Sequence, residues 1–394
     1  MLKIPLPVWL IALAQTLGMV TAPIVIFVGG FLGVMLAPSA SMATLPIAAL
    51  VVGSAIASMP AAFIMQKIGR RSGFVYATML ALLGSILAFY SVRNENFWGL
   101  CFSIVLLGMH LAFVQQFRFA ALEWVKPEQA ATTASVVLMG GLVAAWVGPE
   151  MVMLGKGLFT QTFSGVFVLL AISHSLLLVL LNFIPFAKSQ HSEHADSGRP
   201  LKALLATPAI GAAVASGAVA YGVMSLIMTA TPVSMTEIQD FPLQETKTVI
   251  QSHIMAMFLP SLITPFLIRW LSISGVLLLG ILSMVLSISI AIFDQGYWGY
   301  WTALVLLGLG WNFLFVGGTT LLMQSYQPQE GFRVQAVNEV LVFSTQAIMS
   351  LMAGWLVFSY GWFVVNLLSI PLLILALIML SRWYVVNTKQ LRDE

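Results

Sequence analysis

Charge is scarce in this chain. Asp, Glu, Lys and Arg make up 8% of its 394 residues, against 60% hydrophobic ones, whereas a soluble domain carries roughly a quarter charged residues. Most of the surface must therefore face something other than water. Cys101 is the single cysteine, which excludes an internal disulfide framework and a cysteine metal cluster. Strict apolar–polar alternation is missing, so the strands of a membrane barrel are excluded. No P-loop, H-E-x-x-H or G-x-S-x-G pattern is present, and with them go ATP hydrolysis and two familiar kinds of hydrolase. The net charge of +3 is scattered through short polar breaks, which is no footprint for nucleic acid. Nothing in the composition asks for a cofactor or a metal.

What the sequence has is long apolar runs. Inside lipid every backbone N–H and C=O must be paired within the protein, so runs of about twenty apolar residues read as spanning helices. The runs are 8–36, 45–66, 73–92, 97–122, 130–153, 163–184, 204–233, 246–268, 273–293, 300–324, 334–358 and 362–384. The first is too long for the apolar part of a secretory signal, about 7–15 residues, and reads as a retained span. The expectation is an all-α polytopic membrane protein with about twelve transmembrane helices in two parallel-repeat six-helix bundles. The bundles are residues 1–187 and 204–394, and the polar segment 188–203 reads as a cytoplasmic linker.

Two features support that division. Leu106-Leu107-Gly108, Phe113 and Pro127-Glu128 in the fourth run are echoed by Leu306-Leu307-Gly308, Phe313 and Pro328-Gln329-Glu330 in the tenth. With both termini cytoplasmic, Lys3, Lys67, Arg70, Arg71, Lys126, Lys188, Arg199, Lys202, Arg269, Arg333, Arg382, Lys389 and Arg392 fall inside. Arg93, Lys156 and Lys247 fall outside, a bias with the sign that orients membrane proteins.

Between the second and third runs the chain reads Ala62-x-x-x-Gln66-Lys67-Ile68-Gly69-Arg70-Arg71. This resembles the loop signature of the major facilitator superfamily, G-x-x-x-D-[RK]-x-G-[RK]-[RK], at the place where that superfamily carries it. Ala62 replaces the glycine and Gln66 the acid. The resemblance implies a gating loop in which the acid latches the two halves on the cytoplasmic side; Gln66 can hydrogen-bond there but forms no ion pair. Gly148-Pro149, with Ser135 and Ala144 before it, resembles a worn copy of the helix-5 signature of exporters in that superfamily, without its two later glycines.

Ionisable and amide groups inside the runs are the candidates for function. Arg118 costs about 2.5–3.5 kcal/mol or more if it faces lipid, so it faces a cavity or a partner, or else snorkels to the interface. Gln115 stands three residues earlier, on the same helical face. The resemblance implies that helices 1, 4, 7 and 10 line a cavity, and Gln15, Thr16, Gln115, Arg118, Tyr221, Ser225, Asn312, Thr319 and Thr320 lie on them; interhelical hydrogen bonding is the plainer reading for such groups. Glu150, Glu339 and Glu123 are candidates for carrying a proton. Against this, Glu150 reads equally as a wetted group at the outer mouth, Glu339 as a helix-start acid or a latch to Arg70–Arg71, and Glu123 as the partner of a loop cation. His110, His174 and His253 lie in separate runs and read as isolated structural groups. His191 and His194 sit in the linker without further ligands.

The function expected is secondary transport of a small organic solute by alternating access of the two halves, proton-coupled and outward. Uptake of a nutrient or metal chelate by symport and a non-transporting receptor are the alternatives, and an enzyme is not expected. The expected partners are the solute, a proton or other coupling ion and the lipid bilayer of a bacterial cytoplasmic (inner) membrane, with the chain a monomer.

Overall fold

The computed structural model of the chain describes residues 4–125, 129–186 and 199–393. Lys3, Lys126, the Pro127-Glu128 end of the first repeat and most of the linker, with His191 and His194, lie outside the described residues. The described residues are helical almost throughout. The first six spans are α1 (Leu6–Leu36), α2 (Leu45–Ile68), α3 (Arg70–Arg93), α4 (Phe97–Leu122), α5 (Ala130–Gly155) and α6 (Ser164–Leu181). The second six are α7 (Pro208–Val233), α8 (Leu243–Phe258, continued to residue 271), α9 (273–293), α10 (Tyr297–Gln324), α11 (331–360) and α12 (362–393).

Ten stretches are apolar enough to be recognised as spans by composition. One of these, Arg333–Thr388, turns back at Gly361 and supplies two helices. The remaining span is α8, whose first turns carry Glu245 and Lys247. Lys247, counted among the outside cations at the very start of the 246–268 run, is buried there in the first turns of α8. A short helix, Leu201–Ala206, also replaces the end of the expected linker.

The chain divides into two compact units, Met1–His191 and Ser192–Glu394. Within the first, α1 packs on α5, α2 on α4, and α3 on α4 and α6. Within the second, α7 packs on α11 and α8 on α10. There α9 meets α10 through a bond from Ser287 to Ala303 O, and α12 through one from Trp362 Nε1 to Ala291 O. Each neighbour in one unit has its counterpart in the other. The repeated glycines show why. A Cβ on Gly108 would stand 2.1 Å from Leu50 O of α2, and one on Gly308 2.6 Å from His253 O of α8. Both helix pairs approach so closely that only hydrogen fits.

Candidate functional site

The signature loop is a turn of one residue. Gly69 joins α2 to α3 at φ 84°, ψ 155°, and a Cβ there would touch nothing within 4 Å. Its glycine is required by the backbone alone. The cations beyond it are spent inside the first unit. Arg70 Nε donates to Glu123 Oε1 at 2.5 Å, and Arg71 Nη2 donates to Asn182 Oδ1 at 3.0 Å. The loop therefore ties the start of α3 to the ends of α4 and α6. Gln66 and Lys67 lie exposed in the last turn of α2. In the second unit Ser272 takes the same turn, at φ 64°, ψ 171°, and its Oγ accepts from Gly275 N at 3.4 Å. The loop geometry repeats where the loop sequence does not.

α4 is not continuous. Its regular part ends at Val114, and a short helix resumes at Phe117. Gln115 is exposed at the break and Arg118 half-buried beyond it, its guanidinium 4.7 Å over the Phe119 ring. The break removes the regular three-residue register expected to put both on one face. α1 is also interrupted, at Val20, because Pro23 has no N–H for Met19 O. Gly148 of α5 fits against that proline: a Cβ there would stand 2.6 Å from Pro23 Cγ. Gly140 fits against Ala12 O in the same way, beside the buried Gln15. Gln15 Oε1 has no hydrogen-bond partner among the described residues. Glu150 is half-buried two positions after Gly148.

His110 and His174 are not isolated. Their rings lie 5.0 Å apart at 78°, edge to face, with His110 1% exposed and His174 fully buried. Thr21 Oγ1 lies 3.1 Å from His174 Nε2, and Ser85 Oγ 3.0 Å from its Nδ1. Helices 1, 3, 4 and 6 thus bring four polar groups to one point. Each of them was visible in the sequence, but the pairing of α4 with α6 was not. His253 remains separate, bonded through Nδ1 to Leu304 O at 2.7 Å.

In the second unit Asn312 is a lock rather than an open group. Its Nδ2 donates to Met257 O at 2.7 Å and Ser261 Oγ at 2.6 Å, and its Oδ1 accepts from Thr264 at 2.8 Å. Of the two readings of Asn312, cavity-lining group and interhelical hydrogen bonder, these contacts match the second: the irregular stretch within α8 offers a carbonyl and two hydroxyls to α10. Tyr221, by contrast, enters an aromatic cluster. Its ring is 5.2 Å from Trp311, 5.4 Å from Phe315 and 5.8 Å from Phe343, and Trp311 stacks on Phe315 at 5.0 Å. Phe258 closes on Trp311 from α8. Four of these rings are half-buried; Trp311 is buried, and its Nε1 has no hydrogen-bond partner among the described residues.

Glu339 is not at a helix start. α11 begins at Gly331, so Glu339 lies in its third turn, beyond the reach of the helix dipole at that end. Glu330 takes that place. Arg199 holds it with Nε and Nη2, both at 2.8 Å, and Gln327 N donates to it at 2.9 Å. The Arg199 bonds, then the Gln327 N–H, hold its carboxyl well below the usual carboxylate range. Sequence reading missed this pair, and also Lys247 and Gln251, buried one turn apart on α8. The available signal was their i, i+4 spacing, which puts both on one face of α8. No group of three metal-ligating side chains occurs among the described residues.

These features fit a known family. The sequence model of the Major Facilitator Superfamily matches residues 4–338. The riboflavin transporter RfnT of Brucella anthropi is 33% identical over 374 residues, covering 94% of this chain and 93% of that protein. The uncharacterized MFS-type transporter YddS of Bacillus subtilis is 30% identical, covering 91% and 86%. Among solved structures, the nucleoside transporter NupG superposes with a TM-score of 0.74 at 14% identity, covering 96% of this chain and 99% of that one. The family's function is transport rather than catalysis. The chain belongs to the major facilitator superfamily and is a multi-pass membrane transporter of a small solute.

Proposed function

We propose that this transporter carries a planar heteroaromatic solute of the flavin class. The observation that carries the reading is its similarity to a riboflavin transporter over nearly the whole of both chains. The aromatic cluster of the second unit supports it. Tyr221, Phe258, Phe315 and Phe343 are half-buried rings around Trp311, and a tricyclic ring system stacks on such faces with about 0.5–1.5 kcal/mol per aromatic pair beyond area burial. Lys247 and Gln251, buried one turn apart on α8 of the same unit, are the polar groups proposed to meet the solute's ribityl-like or charged portion. Asn312, with its amide committed to α8, supports the cluster from behind.

Transport proceeds by alternating access, is driven by protons and runs outward, the direction favoured by the resemblance around Gly148-Pro149. The chain works as a monomer in a bacterial cytoplasmic membrane, with both termini inside and residues 188–203 as linker. Riboflavin fluorescence tests the binding step. Purified protein in nanodiscs is expected to quench it saturably, and Trp311→Leu to weaken that quenching. Absence of saturable quenching up to about 1 mM, the upper range of ordinary carrier and enzyme constants, would sink the flavin reading and leave the family's function standing. Binding without flux would favour a receptor.

A further inference from the structure

We propose that His110 and His174 together form a proton-binding site of the first unit, and that this pair couples proton movement to solute movement. The coupling half of the statement rests on the transport reading above; the proton site itself does not.

Ionisable side chains in a spanning segment are expensive to bury, and those that persist there pair with one another or mark a pathway. A structural role would be complete once every nitrogen had a partner. His174 meets that standard. Ser85 gives its hydroxyl hydrogen to Ala81 O at 2.9 Å, so its oxygen accepts from His174 Nδ1–H. Nε2 of the neutral ring is then the acceptor, and Thr21 donates to it. His110 does not meet it. Its Nδ1 is shielded from solvent and has no hydrogen-bond partner among the described residues. His253 Nε2 shares that lack, but only His110 stands against a second imidazole.

That atom is suited to a proton. With His110 as its Nε2–H tautomer, Nδ1 holds a lone pair, and a proton delivered by hydronium forms an N–H bond there as one O–H bond of the hydronium breaks and water is released. The resulting imidazolium stands edge to face with the second imidazole at 5.0 Å and 78°, the arrangement in which a positive ring meets a π face. Alternatively the proton resides on His174 Nε2, and the Thr21 hydroxyl rotates to accept from it. The pair thus shares one proton between two nitrogens, as coupled groups do.

The other titratable side chains of the helices packed here lie toward their ends or on exposed faces. Apart from His174 itself, α1 and α6 carry no titratable side chain. α3 has Arg70, Arg71 and Arg93 at its ends and Tyr76 and Tyr90 exposed; α2 has Lys67 in its last turn. α4 has Cys101 and Arg118 more than two turns away on either side, and Glu123 bound to Arg70. On α5, which packs on both α1 and α6, Glu150 and Lys156 lie in the last turns. The pair also lies beside both helix interruptions of this unit, Val20 next to Thr21 and Gln115-Gln116 one turn beyond His110. Discontinuous helices are where carriers expose ion sites.

The deciding measurement is 15N NMR of histidine-labelled protein in nanodiscs from about pH 5 to about pH 9, the range in which imidazoles serve as switches. Single-histidine substitutions assign the signals. The expected result is a titration seen at His110 and His174 with one shared midpoint. Two imidazoles that stay neutral throughout overturn the proposal, whether or not any solute is carried. Coupling is read with riboflavin as the probe in proteoliposomes, where a gradient of about one pH unit drives up to about tenfold accumulation per coupled proton. His110→Asn and His174→Asn are expected to keep riboflavin exchange and lose gradient-driven accumulation. Accumulation equal to wild type in either variant overturns it. A wild type that carries no riboflavin refutes the flavin reading instead, and the titration then stands alone as the test of the proton site.

Discussion

Arg199 grips both carboxylate oxygens of Glu330, each at 2.8 Å, with the Glu330 side chain fully buried and Arg199 44% exposed. The pair anchors the chain entering the second unit to the start of α11. Because the carboxyl is held below its ordinary value of 4.5, the folded state binds that proton less readily than the unfolded state. Its contribution to stability is fully present above the ordinary carboxylate range and is lost as pH falls through the depressed value. Glu330→Gln is therefore expected to melt at a lower temperature than wild type at neutral pH, with the gap narrowing steadily below about pH 4. Thermal unfolding across that range in one detergent checks it; a constant gap would count against the ion pair.

The repeated glycines give a graded series. Gly108→Ala forces a methyl against Leu50 O and Gly308→Ala one against His253 O and Ala256, and each is expected to cost about 1–3 kcal/mol through overpacking. Gly69→Ala meets no atom and costs about 1 kcal/mol or more through its positive φ alone. Gly157→Ala, with open space and no such φ, is the neutral control. Melting temperatures of the four variants test the order.

Asn312 is expected to act on stability rather than on solute affinity. Asn312→Ala removes its bonds to Met257 O, Ser261 and Thr264 and costs about 1–3 kcal/mol. Riboflavin binding by the folded variant should stay near that of wild type. A large affinity loss at unchanged stability would return Asn312 to the binding site.

Twelve helices, the repeat and the loop signature were legible because apolar length and glycine spacing are local properties. What failed was long-range. His110 and His174 lie on α4 and α6, with α5 between them in sequence, so their contact depended on how α4 meets α6. Asn312 found its partners in an irregular turn that hydropathy cannot register. Glu339 was placed a turn too near a helix start because Gly331-Phe332-Arg333 continues α11 past the apolar run. Lys247 read as a cation at the outer end of its run because the first turns of α8 are polar, although its neighbours bury it.

The central claim is tested most directly by riboflavin flux in proteoliposomes containing the purified chain, compared with empty liposomes and with Tyr221→Leu. The account predicts saturable flux by the wild type and a KM about two- to tenfold higher in the variant, the loss expected for one aromatic contact. No flux above empty liposomes, or a Tyr221→Leu variant with an unchanged KM, would contradict the assignment of a flavin-class solute to the aromatic cluster of the second unit.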